Sequence, residues 1–136
     1  MIVGASEALD ASTERTTNMK IRITVADQAV IATLVDNETA RDFVSLLPLN
    51  LTTKDLFGRE KYGDLHKALS ENGPRKNSYQ VGDIAYWSPD HQLAVYYRQD
   101  GESIPLPGVI PIAKIDGGAE AFDVRGSMKV NITIGE

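Results

Sequence analysis

The sequence predicts one small, mostly β domain, a barrel or sandwich whose second half builds a closed or nearly closed sheet. Three observations point there: short apolar runs alternating with period two, recurrent turn clusters, and only brief stretches of helical periodicity. The 136 residues and 42% hydrophobic content suit a single core. Roughly seven or eight short strands with two helical pieces argue against a parallel α/β sheet.

In chain order, Lys20–Val25 alternates Ile21, Ile23 and Val25 with polar residues, and residues 29–35, apolar on both faces, follow a turn near Asp27-Gln28. The pair reads as a β-hairpin. Asn37 is a good helix N-cap and Glu38 places a carboxylate in the first turn. Ala40, Phe43, Val44 and Leu47 then share one helical face until Pro48 ends it, while Glu38, Arg41, Asp42 and Ser45 form the solvated side. This helix is expected to cover an open end or face of the sheet. Leu49, Leu51 and Thr53 alternate, Gly58 interrupts, and Lys61-Tyr62 resume a strand. Asp64 is placed as the cap of a short helical piece over residues 65–70, closed by Asn72-Gly73-Pro74.

The clearest hairpin joins residues 84–87 to residues 92–98 through Ser88-Pro89-Asp90, and its strands are expected to pair antiparallel. Pro105, Pro107 and Pro111 make residues 104–111 donor-poor, suited to a loop or a sheet edge. Residues 112–115 return to strand, Asp116-Gly117-Gly118 turns the chain into a short helical segment, Ala119–Phe122, and Met128, Val130, Ile132 and Ile134 alternate in a last strand expected to close the sheet.

Composition removes several function classes. Fourteen basic against 19 acidic residues leave a formal charge of −5, which repels a phosphate backbone, so nucleic acid is not an expected partner. The chain has no Cys, hence no disulfide, thiolate metal site or cysteine nucleophile, and with only two His it lacks the imidazoles for a three-histidine metal site. His66 and His91 are expected to be exposed. No apolar run approaches a membrane span, and residues 1–5 are too short for a signal-peptide core, so a soluble protein is expected, cytoplasmic or exported after signal removal. Residues 4–18 are small and polar without apolar rhythm. Residues 1–18 therefore read as an arm, a non-native leader, a spacer or a strand for self-association, ahead of a domain spanning residues 19–136. Gly117-Gly118 lacks phosphate-loop spacing, no nucleophile elbow occurs, and no cofactor is called for. The Asn-X-Ser/Thr triplets at Asn37, Asn50 and Asn131 are given no role.

Three of the five Tyr and the single Trp, namely Tyr86, Tyr96, Tyr97 and Trp87, concentrate in the central hairpin. Alternation puts Tyr86 opposite Trp87 and Tyr96 opposite Tyr97, so one aromatic per strand should fill the barrel and the other line an outer cleft. Plain packing of all four is the competing reading. Arg59, Glu60 and Lys61 are consecutive, and a strand would place Arg59 and Lys61 on a face opposite Glu60. There Arg59 would bind a carboxylate or carbonyl, against the alternative of a solvated charge cluster. Arg98, on the face of Tyr96, is the second cationic candidate.

Gly82-Asp83-Ile84-Ala85-Tyr86-Trp87-Ser88-Pro89, followed by Leu93-Ala94-Val95-Tyr96-Tyr97, resembles the signature hairpin of bacterial and archaeal cyclophilin-like proteins. Leu46-Leu47-Pro48-Leu49 and Ile112-Ala113-Lys114-Ile115-Asp116-Gly117-Gly118 fall in the order that family shows, and the likeness covers residues 19–135. It implies a closed antiparallel eight-stranded barrel with two short capping helices. Catalytic cyclophilins rely on a Phe-His-Arg setting and a Gln-Phe-Phe segment, and neither stands here. Arg59 lies in Leu56-Phe57-Gly58-Arg59-Glu60-Lys61-Tyr62, and Tyr96-Tyr97 stands where the phenylalanine pair would be. The resemblance thus implies no catalytic residue. The leading expectation is a binding domain whose aromatic cleft takes a small molecule or an extended peptide. A weak peptidyl-prolyl isomerase and an assembly module using the arm are the alternatives.

Overall fold

The computed structural model describes residues 19–135, so the arm expected over residues 1–18 lies outside the described residues. Eight strands follow in order: β1 Lys20–Val25, β2 Gln28–Leu34, β3 Leu49–Leu56, β4 Glu60–Asp64, β5 Asp83–Trp87, β6 Gln92–Tyr96, β7 Ile110–Ile115 and β8 Met128–Ile134. They form a closed barrel in the order β1-β2-β7-β5-β6-β4-β3-β8. Every pairing is antiparallel. Closure runs through β8, whose Ile132 stands opposite both Ile23 of β1 and Leu49 of β3. The central hairpin pairs as expected, Ile84 opposite Val95 and Trp87 opposite Gln92.

The interior is filled by the inward half of each alternating strand, including Ile21, Ile23, Ala32, Ile84, Leu93, Ile112 and Ile132, all almost without exposure. Helix α1, Glu38–Val44, adds Ala40 and Phe43 to this core. Its start is set by Asn37, whose side chain accepts from the Ala40 N–H at 2.7 Å. Ala119–Phe122 forms a single 3-10 turn that buries Ala119 and Phe122. Among the described residues no helix is long and apolar enough to cross a membrane.

Two readings of local structure are corrected. Residues 65–70 are not helical. Leu65 and Leu69 do both reach the core, which is why their spacing resembles a helical face. Their backbone donors, however, are taken from outside: Leu65 N–H by the His91 carbonyl at 2.9 Å, Leu69 N–H by the Tyr86 hydroxyl at 3.1 Å, and Ser70 N–H by Asp42 at 2.6 Å. β7 also begins earlier than the prolines suggested, at Ile110. Pro111 is accommodated inside a closed sheet because the β5–β7 register shifts beside it, between Ile84 and Ala85, where a ladder donor is not needed.

The solvated charge cluster expected around Arg59 is absent: Arg59 and Glu60 are each 5% exposed and Lys61 0%. The cause is the β3–β4 turn. Phe57 and Gly58 take left-handed backbone, φ 60° and 62°, and the Arg59 carbonyl accepts from both Tyr97 and Arg98 N–H. Arg59 therefore precedes β4 and leaves the alternation, ending beside Glu60 rather than opposite it. Lys61 points inward. Its Nζ donates to Asp55 Oδ1 at 3.0 Å, to the Gly126 carbonyl at 2.8 Å and to the Val124 carbonyl, and it lies 5.4 Å from the Tyr97 ring centre. One ammonium thus ties the β3–β4 hairpin to the loop before β8.

Removing one partner from a buried charged set leaves the rest uncompensated and costs about 3–5 kcal/mol. Lys61→Met is accordingly expected to lose that much stability in urea unfolding. The exposed control Lys67→Met should stay within about 0.5 kcal/mol of the parent.

Candidate functional site

On the outer face of the barrel, β4, β6 and β5 present cross-strand rows. Glu60 stands opposite Tyr96, Tyr62 opposite Ala94 and in turn Ala85, and Asp64 opposite Gln92 and then Trp87. The middle row is the informative one. Ala94 is small, and the large rings of Tyr62, Trp87 and Tyr96 surround the depression it leaves. Alternation sends the intervening residues, Ile84, Tyr86, Leu93 and Val95, to the interior.

The result is a cleft of about 310 Å³. Ala94 is its floor, Tyr62, Trp87 and Tyr96 its walls, and Arg59 with Glu60 its charged end. Asp90 and Gln92 also line it. The remaining wall comes from Ile104, Pro105 and Val109, held over the sheet by a short clasp. Lys76 and Val109 exchange backbone hydrogen bonds at 2.8 and 2.9 Å, and Ile104 N–H donates to the Asn77 carbonyl at 2.7 Å. Gly108 permits this approach: it has φ 80°, and a Cβ there would come within 2.6 Å of the Lys76 carbonyl oxygen. Tyr79, on the clasped segment, stacks on Tyr96 with ring centres 4.4 Å apart.

The charged end is closed on itself. Arg59 donates from Nε and Nη2 to Glu60 Oε1 at 3.0 and 2.6 Å, and its Nη1 lies 3.5 Å from Asp100 Oδ2. The guanidinium carbon is 5.2 and 5.8 Å from the Tyr79 and Tyr96 ring centres, and 5.3 Å from that of Phe57. Burial works against the Arg59 charge, but the hydrogen bonds and charge of Glu60, with Asp100 behind them, hold its pKa above the ordinary value. Burial raises the Glu60 carboxyl above the usual range against the opposing pull of Arg59. Burial also raises the Tyr96 phenol. Tyr79 donates its hydroxyl to Asp100 at 2.6 Å, which helps keep that carboxyl low.

Of the residues singled out from sequence, Trp87, Tyr96 and Arg59 meet at this cleft. Tyr86 and Tyr97 do not. Both sit in the interior, Tyr86 accepting from Leu69 N–H and Tyr97 donating its hydroxyl to Asp55. Arg98 is exposed and pairs with Asp123 at 2.5 Å, away from the lining residues. His66 and His91 are exposed. Sequence reading missed Tyr62, Ala94, Tyr79 and the Ile104–Val109 wall. Tyr62 and Ala94 carried a signal, since each shares the outward parity of a residue already noted. The wall, brought by a loop without periodicity, carried none. Among the described residues no group of His, Cys, Asp and Glu is placed to hold a metal ion.

A family model described as the cyclophilin-like family matches residues 23–133. No curated protein matches the chain. Among solved structures, the solution structure of a hypothetical protein from Archaeoglobus fulgidus is 22% identical, covering 88% of this chain and 97% of its own, with a TM-score of 0.69. At that identity the likeness is one of fold.

The Asp55 cluster gives a pH prediction. Burial pushes the Asp55 carboxyl up, but hydrogen bonds from Tyr97, Lys61 and the Gly58 N–H prevail and hold it below the ordinary value. A depressed carboxyl contributes stability that is present above its unfolded pKa of about 3.9 and lost as pH falls through the folded value. Urea midpoints of the parent should therefore drop steeply below about pH 4. In Asp55→Asn that drop should be shallower, starting from a lower midpoint at pH 7.

Proposed function

The chain belongs to the cyclophilin-like family, and from that premise we propose that its outer cleft binds an extended peptide or a small molecule without catalysing a reaction. The observation that carries this reading is the alanine floor. Ala94 lies in the middle of a sheet face where a larger residue would complete the packing of Tyr62, Trp87 and Tyr96. Instead the rings are left walling a space of ligand size. Tyr62 and Trp87 stay half-buried, each with apolar surface that an occupant would cover.

Isomerisation of a prolyl bond would call on a cation free to act on the substrate amide. Arg59 is the cationic residue lining the cleft, and its donors are directed at Glu60 and Asp100. That engagement favours binding over catalysis.

Trp87, the only Trp of the chain, stands in the wall and reports occupancy directly. Titrating acetyl-Ala-X-Ala amides, with X aromatic, aliphatic, cationic or acidic, should change its fluorescence saturably for at least one X. Ala94→Phe should weaken that binding at least tenfold while leaving the far-ultraviolet circular dichroism unchanged. A panel in which no member binds would contradict the reading. In parallel, cis–trans exchange of an Ala-Pro peptide should stay at its uncatalysed rate, tens to hundreds of seconds. Acceleration abolished by Arg59→Ala would replace the binding reading with the isomerase one.

A further inference from the structure

We infer that the occupant of the cleft is cationic, an alkylammonium group such as a lysine side chain; this rests on the binding reading above and specifies its ligand. The charged residues lining the cleft are Arg59, Glu60 and Asp90. Arg59 and Glu60 are paired at 2.6 Å, and Asp100 adds a second carboxylate 3.5 Å from the guanidinium. What remains at the other end is Asp90. Its carboxylate accepts from the Trp87 indole N–H at 3.3 Å and has no cationic partner among the described residues. The site therefore offers one oriented, uncompensated carboxylate at its edge.

The walls point the same way. Tyr62 and Trp87, both half-buried, flank the floor, and the faces of such rings attract cations through their quadrupoles. This part of the molecule already holds one cation by that means, since the Arg59 guanidinium lies within 6 Å of the ring centres of Tyr79 and Tyr96. A lysine stem is apolar over four methylenes and charged at its tip. Its methylenes fit along Ala94 between Tyr62 and Trp87, and its ammonium reaches Asp90 at the rim. An anionic ligand would meet Asp90 and Glu60, with Asp100 behind Arg59, in a protein whose formal charge is −5.

Norleucine matches lysine in its methylene stem and lacks the charge. Acetyl-Ala-Lys-Ala amide should bind about three- to tenfold more tightly than its norleucine counterpart, and the glutamate counterpart least. The lysine advantage should shrink as salt rises, because Asp90 is exposed. Asp90→Asn should reduce it to below about twofold while leaving norleucine affinity unchanged. Butylammonium chloride, titrated alone, separates recognition of the free amine from recognition of the peptide that carries it: saturable binding assigns the site to the cation itself, and its absence assigns it to the peptide-borne lysine. Norleucine binding as well as or better than lysine overturns the cation inference and leaves the cleft standing as a binding site. A lysine advantage that survives Asp90→Asn overturns the assigned partner. Failure of the whole panel overturns the binding reading with it.

Discussion

Three consecutive charges, Arg59, Glu60 and Lys61, are buried together where β4 begins, and each must be neutralised within the protein. Taking such ions out of water costs several kcal/mol apiece unless their partners are close and well aligned. The pleat divides the task. Lys61 turns inward and is satisfied by Asp55 and two loop carbonyls, which fixes the chain leading into β8. Glu60 turns outward and receives Arg59, released from the strand by the left-handed turn at Phe57-Gly58. Barrel closure and the charged end of the cleft are therefore set at one hairpin.

The cleft is the outward counterpart of that arrangement. A closed barrel has no free edge on which to bind a strand, and side chains fill this one, so the proposed site lies on an outer face. Here the face is hollowed at Ala94 and walled by aromatic residues from β4, β5 and β6, with the Lys76–Val109 clasp completing the far side. Phe57 belongs to the same region. It is 76% exposed in left-handed backbone, two unfavourable features for a phenylalanine, and its ring lies against the Arg59 guanidinium. The binding proposed for this cleft would draw on apolar area and cation–π attraction, with Arg59 as part of the wall.

Period-two alternation made most of the barrel legible: β1 and β8 each carry one polar and one apolar face, while β5 and β6, apolar on both, were marked by the turn that joins them. Asn37 marked the start of α1 because a side-chain cap is a local signal. The same local logic failed at residues 65–70, where i, i+4 leucines bury without a helix because donors are met by Tyr86, Asp42 and His91. It failed again at Arg59, where a turn conformation invisible to periodicity decided which side the guanidinium takes. Parity separated Trp87 from Tyr86 and Tyr96 from Tyr97, and the structure turns Trp87 and Tyr96 outward. Their neighbours Tyr62 and Ala94 drew no notice, because a small residue is informative only once its cross-strand partners are known. Arg98 shares that outward parity in sequence, but β6 ends at Tyr96 and Asp123 takes its charge.

Arg59 and Glu60 neutralise one another, which leaves the charged end of the cleft compensated within the protein. A double-mutant cycle between Arg59→Met and Glu60→Gln, read by urea unfolding at pH 7, tests it most directly. Mutual neutralisation predicts that each single variant is destabilised and that the double variant is less so than their sum, by more than about 1 kcal/mol. Additivity within about 0.5 kcal/mol would show that the two charges are satisfied independently, and would contradict the account.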